Sequence, residues 1–337
     1  MKFTKNATTL AILGAISLLG LATAAAQAAT INQTVCVRSL NKTMSDGASV
    51  TFWGFTTSCG GMGSGSVPGP AVEVGIYPEG SGLTDTLNLT LNMNMAPQEN
   101  APYNGHTVHL HGADVATAED GVPETGAAVN GDTYTWTPLT DHAGSYMYHC
   151  HVHTVKHLEM GMYGPMIGRP KNTSGVFLNQ LTHNAATAYD YVQNYVLSTV
   201  DPAYHTATGD STVFADYNPK YFLISGSEGK TTAAPAQTLA AAINKKVALR
   251  LIGIHSVNAT FSVKNASGVA QQFTVYTHDG RALATAPTMT SLDISPGQRY
   301  DIVFTTPSTT GTWYPQVTYK SLRDGSALST AYGKVTF

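Results

Sequence analysis

Two short segments carry the residues able to do chemistry. His106, His109 and His111 stand together in one, and His149-Cys150-His151 is followed by His157 and Met162 in the other. Eight of the chain's twelve histidines fall between His106 and His157. A lone histidine is usually a surface or core residue, but a thiolate, two imidazoles and a thioether in this order form a metal-ligand set. Cys150, His106, His157 and Met162 make up the His₂Cys set with a weak axial methionine that favours copper and electron transfer. Zinc also accepts cysteine and histidine, and the methionine is what tips the set towards copper.

These ligands need a scaffold that points them in two directions. Successive side chains on a strand face opposite sides, so in Ser145–Val152 the residues Tyr146, Tyr148 and Cys150 share one face, and His149 and His151 share the other. His109 and His111 likewise share a face, with Leu110 opposite. One strand pair could then feed two sites, with Cys150 pointing into a sandwich and four histidines pointing out of it. His106, at the parity opposite to His109 and His111, would join Cys150, and His157 would sit on the loop just beyond the cysteine.

The rest of the chain reads as all-β, in short alternating segments separated by Gly, Pro, Asn, Asp and Ser clusters. Leu87, Leu89, Leu91 and Met93 alternate with polar residues as a half-buried strand. Similar runs recur at 132–138, 144–152, 190–199, 221–225, 247–254, 272–276, 300–305 and 312–319, the spacing of β-sandwiches. The breaker-rich stretch 168–175, GRPKNTSG, divides residues 29–168 from residues 176–337 as two domains.

Lys2 and Lys5, an apolar run from about Thr8 to Leu21, and Ala26-Gln27-Ala28 have the form of a secretory signal peptide over residues 1–28. The run is shorter than the ~18 residues a spanning helix needs, so the mature chain is expected to be periplasmic or secreted, with no membrane span. The formal net charge is −3. Losing the two signal lysines leaves 16 basic against 21 acidic residues, or −5, which argues against nucleic acid as a partner. Cys36 and Cys59 could pair as a disulfide in an oxidising compartment, leaving Cys150 free for a metal.

The motifs His106-x-x-His109-x-His111-Gly112 and HCHVHTVKHLEMGM resemble those of the multicopper oxidase family, which includes laccases and two-domain blue copper oxidases. The likeness extends to VPGPAVEV, DGVPE and GSYMYHCH, and, in the second domain, to NPKYFLISG, VALRLIGI, TVYTHDGRAL and LDISPGQRYDIVF. It implies two cupredoxin-like Greek-key β-sandwich domains. It implies type 1 copper on His106, Cys150, His157 and Met162, with His109 as a type 2 ligand and His111, His149 and His151 as type 3 ligands. The expected function is a copper-dependent oxidoreductase. Type 1 copper would take electrons from a small-molecule or protein donor, and a histidine-bound copper site would reduce oxygen. The alternative is a blue-copper electron-transfer or copper-binding protein without oxidase activity. Nitrite reduction is a third reading, disfavoured because related reductases lack the histidine that follows the cysteine here as His151.

Two features depart from the family pattern. Five residues rather than three separate His151 from His157, and His153 lies among them as a competing ligand. The family's trinuclear cluster takes eight histidines from four HxH pairs in two domains, yet the second domain here has only His183, His205, His255 and His278, each isolated. A homo-oligomer, in which a second copy presents the same four histidines, is the expected way to complete the site. A simpler copper site on this chain and a separate protein partner are the other ways. Near the site, His142 could be a ligand, and Glu119 and Asp120 could relay protons or simply form a turn before Gly121. Met93, Met95, Met160 and Met166 could handle a soft metal or fill the core.

Overall fold

The computed structural model describes residues 27–60, 65–99, 104–125, 130–206 and 217–337. Most of the expected signal peptide lies outside the described residues.

The first half of the chain builds two four-stranded sheets. One has the order β2–β1–β4–β6, from β1 (Thr30–Thr43), β2 (Ser49–Thr56), β4 (Thr86–Asn92) and β6 (Thr133–Trp136). The other has the order β3–β8–β7–β5, from β3 (Val72–Ile76), β5 (His109–His111), β7 (Gly144–His149) and β8 (Tyr163–Pro170). Each sheet contains one parallel pair, β1 with β4 and β3 with β8, and its other pairs are antiparallel. The alternation in β4 has the expected consequence: Leu87, Leu89 and Leu91 are fully buried, and the residues between them are half-exposed. They pack against Val35, Val37, Trp136, Tyr146 and Tyr148 in a core that also holds Cys150 and Met162.

Strand β8 continues through Gly168 and Arg169 to Pro170, so the breaker-rich stretch is strand at its start, and the chain leaves the sheet only after Pro170. Pro170 is tolerated because it is the last residue of β8, beyond Gly168 where the pairing with β7 stops. The second half forms two seven-stranded sheets, one of them centred on β9 (Tyr191–Val200) and Lys246–Gly253, with its own core around Leu249, Leu251, Phe261, Phe273, Ile302 and Val317.

The two halves press together on β7. Met147 packs with Tyr163 and Ile167 and, across the interface, with Val196 and Ile252. Ser145 Oγ donates to buried Asp301 Oδ1 at 2.5 Å, and Tyr146 Oη donates to Gly280 O at 2.9 Å. Every residue of β7 is buried. Two of the four histidines, His111 and His149, leave the first sandwich for the seam between the halves, where they line a pocket with Gly253, Ile254 and His255 rather than an open face. No helix among the described residues is long and apolar enough to cross a membrane.

Candidate metal centre

Pairing of β5 with β7 sets His109 opposite His149 and His111 opposite Met147, while Leu110 and Tyr148 turn into the first core. Just past the end of β7, Cys150 is fully buried. Its Sγ lies 3.1 Å from His157 Nδ1 and 3.9 Å from His106 Nδ1, with both imidazoles fully buried as well. His106 Nε2 lies 2.6 Å from the carbonyl of Pro97. A carbonyl only accepts, so the ring proton sits on Nε2 and the Nδ1 lone pair faces the sulfur.

Met162 is buried in the same cluster, and its backbone closes the site: Cys150 N–H donates to Met162 O at 3.1 Å, and Met162 N–H donates to His157 O at 3.0 Å. His157 lies on a short helix, α1 (Thr154–Glu159), rather than on a loop. The two residues by which this segment exceeds the family spacing are taken up in that turn. His153 precedes it in the left-handed conformation, φ 42°, and does not compete for the sulfur. Its Nδ1 lies 2.6 Å from Glu99 Oε2, which is also 3.4 Å from His157 Nε2. Glu99 therefore steadies the outer nitrogen of His157 and holds His153 aside. Trp53 covers the pair, its ring 5.5 Å from that of His157 and 6.2 Å from that of His106.

Burial alone would raise the Cys150 thiol, but the facing imidazoles of His157 and His106 bring it down to about 5. For His157 burial works downwards, and the Cys150 thiolate and Glu99 raise it to about 9. In the metal-free protein the sulfur is thus a thiolate, the form that binds a metal.

On the opposite face, one donor atom from each of His109, His111 and His149 converges within 4.8 Å of the others. The His151 ring is 5.1 Å from that of His109 and stacks on His149 at 5.9 Å, so it stands at the edge of the group. His109 Nδ1 donates to Asp120 O at 2.7 Å, and His149 Nδ1 donates to Cys150 O at 2.9 Å, which leaves both Nε2 lone pairs towards the group. His111 Nδ1 lies 3.2 Å from His149 Nε2. Burial holds His149 well below its ordinary value, and it lowers His109 too. Burial, with Arg299 nearby, lowers His111 to about 4. Neutral imidazoles with fixed tautomers are the form metals bind. Gly112 follows β5 at φ +79°, a left-handed conformation that favours glycine, and the Arg299 guanidinium packs where a Cβ would stand.

Asp120 thus orients His109 through its backbone carbonyl, while Glu119 accepts from the Thr135 N–H at 2.7 Å and belongs to the strand edge. His142 pairs with Asp114 at 2.6 Å and Asp141 at 3.1 Å, apart from both groups. Met160 and Met166 are buried, Met166 in the core that holds Cys150, and Met95 is exposed. Cys36 and Cys59 form a disulfide, and Cys150 is free. Glu99 went unforeseen because it is 54 residues from His153, and no local pattern links the two.

A sequence model described as Multicopper oxidase matches residues 61–173, and a second of the same description matches residues 175–333. The chain belongs to the multicopper oxidase family. It is a copper-dependent oxidoreductase, and the family assignment favours the oxidase over an electron carrier without turnover. The donor set agrees: a buried thiolate with two Nδ1 donors beside a methionine, and a separate histidine group, suit copper in two environments.

The fold is similar to that of the blue copper oxidase from Nitrosomonas europaea, at 21% identity and TM-score 0.63, covering 91% of this chain and 85% of that one. It is also similar to a multicopper oxidase from Campylobacter jejuni described as a metallo-oxidase, at 17% identity and TM-score 0.64, covering 93% and 60%. A laccase from Botrytis aclada gives 20% and 0.61, covering 92% and 53%, so this chain spans about half of that protein. No curated protein matches the sequence.

Proposed function

We propose that His106, Cys150, His157 and Met162 hold a type 1 copper, and that His109, His111, His149 and His151 hold the copper at which oxygen is reduced. Bound copper supplies one-electron acceptance at the first group and oxygen reduction at the second. The observation that carries the reading is the continuous stretch His149-Cys150-His151. Its middle residue belongs to the first group, His149 to the second, and His151 stands at the second group's edge, so a covalent path three residues long joins them.

The chain's own groups prepare both sites. Pro97 and Glu99 fix the outer nitrogens of His106 and His157, so their Nδ1 atoms face the thiolate. Asp120 and the Cys150 carbonyl do the same for His109 and His149 through Nδ1, presenting Nε2. Trp53 and the buried surroundings keep water from the sulfur. The electron donor is a small molecule or a protein. The remaining ligands of a full cluster come from a second copy of the chain in a homo-oligomer, a reading supported by the absence of any HxH pair after residue 151. The protein works in the periplasm or outside the cell, as the N-terminal sequence and the Cys36–Cys59 disulfide support.

Oxygen uptake with a simple reductant tests this in two variants. Cys150→Ser loses both colour and uptake, whereas His109→Ala stays blue and loses uptake. A His109→Ala protein that consumes oxygen at the parent rate would contradict the assignment.

A further inference from the structure

His255 stands alone in the sequence of the second half, yet it lines the same pocket, of ≈ 340 Å³, as His111 and His149. It is only 1% exposed. Its Nδ1 lies 2.5 Å from the carbonyl of Val257, so the ring proton sits on Nδ1 and Nε2 carries the lone pair. That Nε2 is buried and has no hydrogen-bond partner. A buried histidine serving only as core would normally satisfy both nitrogens. His109 and His149 likewise bond a carbonyl through Nδ1 and turn Nε2 towards the histidine group, though His149 Nε2 meets His111 Nδ1 there whereas His255 Nε2 meets no partner.

The backbone around the pocket brings His255 and His111 to one place. Gly297 N–H donates to Gly253 O at 2.9 Å, which sets these two glycines side by side in the pocket wall. A Cβ added to Gly253 would lie 3.0 Å from His255 Nε2, and one added to Gly297 would lie 3.7 Å from His111 Nε2. Each free nitrogen therefore borders a bare glycine of the same pair. The rest of the wall includes Met147, Ile254 and Leu158, an apolar lining that leaves a cation few other partners.

We propose that His255 is a copper ligand supplied by the second domain, binding through Nε2 an ion that it shares with His111 Nε2. This rests on the reading that the histidine group holds copper, and it makes the chain's own second domain a contributor to that centre. Burial lowers His255 to about 4, so at neutral pH the nitrogen is already free of a proton.

The test measures copper retention against a chelator, with the non-blue copper followed by electron paramagnetic resonance. His255→Asn is the informative variant, because its side-chain amide can still donate to Val257 O while Nε2 is gone. His255→Gln serves as a second replacement, and the blue band of each variant reports that the first domain is folded. Both variants are expected to release non-blue copper at least tenfold more readily than the parent, with a changed nitrogen hyperfine pattern and an unaltered blue band. Parent-like retention and spectrum in both would overturn the proposal. His109→Ala separates the two levels. If it loses non-blue copper and the His255 variants do not, only the His255 assignment fails. If it too retains the copper, the histidine-group reading fails with it.

Discussion

Asp301 is the buried anchor that holds the second domain against the histidine-bearing strand, and replacing it by asparagine should be costly. The carboxylate is fully buried. It accepts from Ser145 Oγ at 2.5 Å, Thr277 Oγ1 at 2.8 Å and Arg250 Nη1 at 3.2 Å, and Arg250 is itself only 2% exposed. Asparagine keeps the volume and removes the charge. What it leaves is an Arg250 guanidinium buried without its counter-charge, which costs roughly 3–5 kcal/mol when one partner of a buried pair is lost. Most of that comes from Arg250, so Asp301→Asn combined with Arg250→Met should recover a substantial part. The assay is urea unfolding of the metal-free protein followed by tryptophan fluorescence, comparing the parent, both single variants and the double variant. Ser145 lies four residues before His149 on β7, so the single variant should also load non-blue copper less completely. A loss below about 1 kcal/mol for Asp301→Asn, or no recovery in the double variant, would refute the reasoning.

Acid should destabilise the metal-free protein. His255 and His111 are held at about 4, below the usual 6.5, and His149 lower still, so the unfolded chain binds more protons and stability falls as pH drops from about 6.5 towards 4. His255 alone accounts for about 3 kcal/mol of that loss, and unfolding of His255→Asn across this range should show a correspondingly shallower slope. The Cys36–Cys59 bridge closes a loop with a sequence separation of 23. The double Cys36→Ser, Cys59→Ser variant should lose about 3 kcal/mol by denaturant titration while staying blue. Glu99→Gln removes a negative charge 3.4 Å from His157 Nε2, so the blue copper's reduction potential should rise in a spectroelectrochemical titration, and an unchanged or lower potential would contradict the role given to Glu99.

Much of the centre was legible because strands obey parity. Cys150 lies in the first core beside Tyr146 and Tyr148, and His109, His111 and His149 converge on the other side, as alternation requires. What parity could not convey was the fate of that other side. GSYMYH carries no charged residue, and this is how a strand buried on both faces reads. The partner that buries it comes from the second half of the chain, from Val196, Ile252 and Asp301, with no local trace in the sequence. The helix bearing His157 is six residues long, too short to register a 3.6-residue period. His255 looked unremarkable alone, because its meaning depends on a free nitrogen and a shared cavity that only packing creates.

The most direct test of the account is copper content per chain in the fully loaded protein, resolved into blue and non-blue ions by electron paramagnetic resonance. Both kinds are expected on the parent chain, with the blue one alone lost in Cys150→Ser. A single blue copper per chain, with nothing bound at the histidine group, would contradict it.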